Sequence, residues 1–439
     1  MIEKNIEWYG TLPKNWSTPK MSYVCNTITD YTASGSFASL AENVIYRDTE
    51  DYAMLVRTAD LSKKRDINPV FIDEKAYNFL NNSNLFGGEL IMSNVGSVGD
   101  VYLYEPLYQK ASLAPNAIMV RTNGYEKFLF YLFSTKQAVE GLLSITNTTT
   151  QPKFNKTQLR SFRVPFPDQL TMEKIVKHLD KKTKQIEDIK NKISEEIENL
   201  ENYKKSVITE AVTKGLDKNV EMKDSGIEWI GEIPKHWKKI ELRYLSSIVR
   251  GGSPRPISNY MSDSDTDLNW IKIGDTEKGS KYINRTKNKL KISGLSSTTY
   301  VKKGELILSN SMSYGEAYIL NIDGCIHDGW LAFKEIKNVD QEYLYFSLLS
   351  TNTLAQFDML CDGGVVQNLN IDKVKTVKVF IPNLDEQIKI ADYLNKKTKL
   401  IDDSIAIKQK QLKTLEEYKK SLIYEYVTGK KEVKDGEES

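Results

Sequence analysis

The sequence predicts an α+β protein written twice: two mixed α/β globules separated by two long helices that pair antiparallel as a coiled coil. Three observations predict it. The segment Ile6-Glu7-Trp8-Tyr9-Gly10-Thr11-Leu12-Pro13-Lys14-Asn15-Trp16 returns as Ile227-Glu228-Trp229-Ile230-Gly231-Glu232-Ile233-Pro234-Lys235-His236-Trp237, with seven identities in eleven positions. Gly88-Glu89-Leu90-Ile91 returns as Gly304-Glu305-Leu306-Ile307, and Tyr203-Lys204-Lys205-Ser206 as Tyr418-Lys419-Lys420-Ser421, so each half keeps one order of motifs. Third, each half closes on a long stretch free of Pro and Gly with helical apolar spacing.

The elements follow in chain order. Residues 1–160 form the first globule, with β-rich runs at 89–93 and 117–121 and a helical stretch at 127–144, separated by Gly, Asn and Ser turns. The first long helix is expected within 161–215, between Pro167 and Gly215. Its apolar positions Ile175, Leu179, Ile186, Ile189, Ile193, Ile197, Leu200, Tyr203, Val207 and Ala211 average 3.6 residues apart once a polar turn is allowed, one stripe along one rod. The second globule, 216–381, has β-rich runs at 304–309 and 375–381 and a helical stretch at 341–360. The second long helix, within 382–430, carries Ile390, Leu394, Ile401, Ile405, Leu412, Leu415 and Leu422 at steps of three, four and seven, and 431–439 is a polar tail. Each stripe needs a partner, and the other copy is the nearest one.

Composition narrows the function. A chain of 439 residues with 40% hydrophobic content can build several cores. Its 61 basic and 59 acidic residues exclude the simplest nucleic-acid signature, a strongly basic protein, so any DNA contact must come from local patches. Cys25, Cys325 and Cys361 are far apart and form no zinc or disulfide pattern, which fits a reducing cytoplasm. The first residues lack an apolar signal core and no long apolar run suggests a membrane span. There is no phosphate-cradling G-x-x-x-x-G-K-[ST] loop, no dinucleotide fingerprint, no Asn-Pro-Pro-aromatic methylase motif and no nuclease pattern. His178, His236 and His327 are scattered, and the first globule has no counterpart of His327-Asp328 beside Cys325, so neither a catalytic residue nor a metal site is expected.

Local charge points to DNA. Between residues 272 and 303 nine basic residues face two acidic ones, interleaved with Gly, Ser, Asn and Thr that suit loops approaching phosphates. Lys272, Lys278, Lys281, Arg285 and Lys287 are the candidate contacts there, with Arg255 just upstream. The first globule offers Arg57, aligned with Lys272, and the cluster Lys63, Lys64 and Arg65. Asn94 and Ser97, with their counterparts Asn310 and Ser313, could bond base edges, although turn-making alone is the commoner role for most such residues. The copies agree in the strand and helix motifs and disagree in the loops, the pattern of one scaffold carrying two different readers.

With its paired Ile-Glu-Trp-x-Gly-x-[IL]-Pro-x-x-Trp segments, Gly-Gly-Ser-Pro at 251–254, Gly-Glu-Leu-Ile, the [QP]-[KN]-[FL]-Asn segments at 152–155 and 367–370, and Pro382 followed by Glu386-Gln387, the chain resembles the specificity subunit of type I restriction-modification systems over nearly its whole length. The first half departs at Leu170-Thr171-Met172-Glu173, where the family usually has Glu-Gln, and lacks Gly-Gly-Ser-Pro. The resemblance implies that each globule is a target-recognition domain for one half of a split, asymmetric double-stranded DNA sequence, and that the helices act as a ruler. It implies docking of two methyltransferase subunits and of restriction/translocase subunits. S-adenosylmethionine, ATP and Mg are then expected on those partners and no cofactor on this chain. The alternative is a coiled-coil protein-interaction adaptor that reads no sequence, whose globules would bind DNA weakly and lose it in salt.

Overall fold

A computed structural model describes residues 5–6, 8–62, 68–146, 151–277, 279–311, 314–361 and 369–434. The chain divides into two compact units, Met1–Asn191 with Leu412–Ser439, and Lys192–Gln411.

In the first unit, one sheet has the strand order Cys25–Asp30, Ala117–Thr122, Leu90–Ser93, Val101–Leu103, every pair antiparallel. A second sheet has the order Phe71–Ile72, Ala53–Val56, Ala111–Leu113, Asn84–Leu85, and its central pair is parallel. The second unit repeats this plan. Ser247–Arg250, Trp330–Lys334, Leu306–Ser309 and Ala317–Leu320 form the first sheet, extended by Tyr282–Ile283. Asn288–Leu290, Leu268–Ile271, Gly324–Ile326 and Thr299–Val301 form the second, extended by Met261–Ser262, again with a parallel central pair.

The repeated Gly-Glu-Leu-Ile run is central to both first sheets because it is apolar on both faces. Leu306 and Leu308 enter the core shared with the helices, while Ile307 enters the core against the second sheet. Leu90 and Met92 divide from Ile91 in the same way. Side chains alternating across one strand thus join two cores, which is why a continuous apolar run, and not an alternating one, marks this position.

The long helices run Gln169–Lys214 and Leu384–Val427. Asp168 accepts from Thr171 N–H at 2.9 Å and Asn383 from Glu386 N–H at 3.0 Å, closing the two N-termini. Gly215 and Gly429 end the helices at φ +74° and +68°, the left-handed conformation that spares a Cβ clash. Cross-helix ion pairs show antiparallel packing within each unit. In the first, Lys419 meets Glu187 and Lys190 meets Glu416, both at 2.8 Å; in the second, Lys408 meets Glu196 at 2.5 Å and Lys204 meets Asp402 at 2.7 Å. As the number rises on one helix it falls on the other. Such partly exposed pairs are worth on the order of 1 kcal/mol each, so they fix register more than stability. The expected stripe is buried where globules cover it, at Ile175, Leu179, Ile186, Val207 and Ala211. It is half-buried at Ile193, Ile197 and Leu200, and Ile189 and Tyr203 are exposed, because two helices alone cannot enclose a full apolar face.

The repeated Trp motif packs against helix ends. Trp237 is fully buried beside Gly215 and donates its indole N–H to Glu386 Oε1 at 3.0 Å, while His236 Nε2 meets Glu386 Oε2 at 2.8 Å. The next residue, Gln387, donates to Pro382 O at 2.9 Å and accepts from Asp340 N–H at 2.7 Å. Glu386-Gln387 is therefore a structural clasp. In the first unit Trp16 is buried beside Gly429 in the same manner, in a pocket also lined by Asn15 and Thr171. Asn15 and Thr171 stand where the second unit has His236 and Glu386, which accounts for the missing Glu-Gln.

Candidate nucleic-acid interface

The aligned cations Arg57 and Lys272 occupy one local structure. Each follows the central strand of the second sheet and opens a helical turn. Asp60 Oδ2 accepts from Arg57 N–H and Asp275 Oδ2 from Lys272 N–H, both at 2.8 Å. Asp60 also takes the Arg57 guanidinium, at 2.7 and 3.0 Å, and Asn68 O accepts from it at 2.7 Å. The Lys272 ammonium is taken by Asn288 Oδ1. Both cations are half-buried and engaged within their own units.

Other expected contacts prove to be interior groups. Asn94 and Asn310 are buried at the end of the Gly-Glu-Leu-Ile strand. Phe154 N–H donates to Asn94 O at 3.2 Å and Asn94 Nδ2 to Phe154 O at 3.0 Å; Leu369 N–H donates to Asn310 O at 2.8 Å. The repeated Ser-Asn thus ties the strand to the repeated Phe-Asn and Leu-Asn segments, through the backbone in both units and also through the Asn94 side chain in the first. Lys281 is also held inside its unit. Its ammonium meets Glu342, donates to Asn395 Oδ1 on the second long helix at 2.7 Å, and lies 4.9 and 5.2 Å from the Tyr345 and Phe346 ring centroids. Its charge docks the globule on the helix.

Arg255, Arg285, Lys287 and Ser97 do lie on the surface. Arg285 is paired with Glu277 at 3.2 Å. Lys63, Lys64, Arg65, Lys278 and Ser313 lie outside the described residues.

Sequence reasoning passed over the group that organises this surface in the second unit, the loop His327-Asp328-Gly329. It stands where the first unit has Ala114-Pro115-Asn116: Ala114 N–H donates to Val56 O, and His327 N–H to Ile271 O, on equivalent strands. The Gly-Gly-Ser-Pro segment is threaded against it. A Cβ on Gly251 would lie 2.1 Å from His327 O, and one on Gly252 2.5 Å from Ser297 O, so only glycine fits. Ser253 Oγ donates to Asp328 Oδ1 at 2.8 Å, and Arg250 Nε to Asp328 O at 2.9 Å. Partial burial pushes the Asp328 carboxyl up, but the Ser253 hydroxyl, the His327 ring and Arg250 outweigh it and leave it below the usual carboxylate range. His327 Nδ1 accepts from Gly329 N–H at 2.6 Å, and burial lowers the ring's basicity despite the neighbouring Asp328. The signal was present in the sequence: a polar His-Asp-Gly where the other copy has Ala-Pro-Asn, beside a Gly-Gly that the other copy lacks.

Burial pushes the Cys325 thiol up to about 11, as for a packed thiol and not a reactive one. Among the described residues no group of His, Cys, Asp and Glu could hold a metal ion, and no helix is long and apolar enough to cross a membrane.

A duplicated two-sheet unit on paired long helices, with a repeated framework and divergent polar loops, defines a two-module recognition scaffold. The family model for the type I restriction modification DNA specificity domain matches residues 13–199 and again 234–417. The chain belongs to that family and carries its domain twice. The MjaX specificity subunit of Methanocaldococcus jannaschii is 27% identical over 362 residues, covering 79% of each chain. The type I restriction enzyme MjaVIII specificity subunit of the same organism is 24% identical over 318 residues, 70% of this chain and 71% of that one. In fold, the chain is similar to one in a solved type I R-M assembly (TM-score 0.69, 14% identity, 95% and 99% of the two chains). It is also similar to the HsdS subunit of Thermoanaerobacter tengcongensis (TM-score 0.50, 15% identity, 98% and 100%).

Proposed function

We propose that this chain is the address of a type I restriction-modification complex in the cytoplasm: its two globules read the two unlike halves of a split double-stranded DNA target. Chemistry is left to other chains. The observation that carries the reading is the contrast between the shared four-strand order of the sheets and the unlike loops in the two units, His327-Asp328 against Ala114-Pro115 above all. Framework that repeats while its loops diverge is what two readers of different sequences require.

The surface cations supply the nonspecific grip. Arg285 and Lys287, with Lys291, Lys302 and Lys303, are exposed on the second globule and suit phosphates, whereas Lys281, Asn94 and Asn310 act inside the framework. Partner docking is assigned to the long helices. Leu400 and Ile407 are 64% and 61% exposed, seven residues apart on one helix, and so present apolar surface to a further helix. The proposed partners are two methyltransferase subunits carrying S-adenosylmethionine, and restriction/translocase subunits carrying ATP and Mg.

The test is methylation mapping in cells carrying this chain with its methyltransferase subunits. One split, asymmetric motif is expected, lost on deletion of this chain. Methylation that persists unchanged without the chain would overturn the reading in favour of an assembly adaptor.

A further inference from the structure

We propose that Arg255 and Asp328 form a base-reading pair that selects one G·C base pair in the half-site of the second globule. This deepens the functional reading above and rests on it.

The two side chains differ from the cations around them. Arg255 is 83% exposed, and Asp328 Oδ2 lies 3.9 Å from its Nη2, beyond hydrogen-bonding distance. The guanidinium therefore keeps its donors for a ligand, and Asp328, held through Oδ1 by Ser253, keeps acceptor capacity on Oδ2. A half-exposed carboxylate is repelled by phosphates, so this tip is unsuited to the backbone. It suits a base edge, where an acceptor is useful.

The arrangement matches one base pair. In the major groove guanine presents two acceptors, O6 and N7, that a guanidinium bonds bidentately. Cytosine presents its N4 amine as a donor, and aspartate is the complementary acceptor. O6 and N4 are themselves hydrogen-bonded, about 2.9 Å apart. A donor fork beside an acceptor a few ångströms away mirrors that acceptor–donor edge. An A·T pair offers the fork no such adjacent pair of acceptors.

The pair is also held ready. The Gly251 and Gly252 backbone is packed against His327 and Ser297, and Asp328 ties down Ser253, so the loop bearing Arg255 is anchored on both sides before DNA arrives. The first globule has Pro115 at the position of Asp328 and no Gly-Gly-Ser-Pro, so the pair belongs to one half-site.

The experiment maps methylation in cells carrying the full complex with the wild-type chain, Arg255→Ala, Asp328→Asn or Lys287→Ala. Arg255→Ala should relax one G·C position in one half-site by roughly fivefold to a hundredfold while the other half-site is kept. Asp328→Asn, which keeps a group for Ser253, should relax the same position. Lys287→Ala should lower methylation at all sites without changing the motif. A motif unchanged in Arg255→Ala, relaxation at an A·T position, or equal relaxation everywhere would overturn the proposal. A wild-type complex whose methylation does not depend on this chain would overturn the functional reading itself, and this proposal with it.

Discussion

Replacing Lys281 by Ala separates the structural account of the second globule from a purely electrostatic one. By composition Lys281 belongs to the basic stretch and should hold a phosphate. In the structure its side chain is 17% exposed, paired with Glu342, bonded to Asn395 and set near two aromatic rings. Removing it leaves Glu342, 32% exposed, without its cation and takes the ammonium away from the Tyr345 and Phe346 rings. A hydrogen bond to a charged group is worth about 1.5–3 kcal/mol, and partial exposure of the pair keeps the loss within that range. For a unit of this size, that lowers the melting temperature by roughly 3–12 °C. The assay is thermal unfolding of the full chain beside DNA binding titrated in salt. The salt slope should stay at its wild-type value for Lys281→Ala. It should fall by about 0.9 for the exposed Lys287→Ala, whose melting should be unchanged. A reduced slope with unchanged melting in Lys281→Ala would refute the docking role and return Lys281 to the DNA.

Three further outcomes are expected. Gly251→Ala should cost about 1–3 kcal/mol or more, because its Cβ would meet backbone and not a movable side chain; methylation mapping should then show loss of one half-site only. Trp237→Phe keeps the buried ring but removes the bond to Glu386, and chemical unfolding should register about 1.5 kcal/mol. Acid should weaken the His327 loop: burial lowers the folded-state basicity of His327 below the ordinary 6.5, so its neutral-form stabilisation is full above that pH and is lost as pH falls through the lower folded value. Asp328 adds a second loss below its ordinary 3.8, again on falling pH. Protection of the Gly329 amide against hydrogen exchange, taken relative to its intrinsic rate at each pH, should fall from pH 7 to 4 in the wild type, and the upper step should be absent in His327→Gln.

The repeat, the long helices and their antiparallel partnership were legible because they depend on periodicity and on a motif written twice. The sites were legible only in part. Charge density located the basic stretch but could not say which of its lysines turn inward, since Lys281 and Arg285 look alike in sequence and are separated only by Glu342 and Asn395, far along the chain. The paired asparagines are ambiguous for a related reason: an Asn beside a turn can bond a base or a backbone carbonyl, and in the first unit the Phe154 carbonyl takes the Asn94 amide. In sequence the His327-Asp328 loop reads as a nucleophile pair without a counterpart, whereas in the structure Asp328 is an anchored acceptor. Comparison of the two copies, position by position, carries more of the site than the charge tally does.

The central claim is that the two globules are independent readers. Exchanging residues 216–381 for the equivalent segment of a relative, and mapping methylation in cells carrying the complex, tests it most directly. The account predicts that one half of the split motif changes to the relative's and the other half is retained. A motif in which both halves change, or neither does, would contradict it.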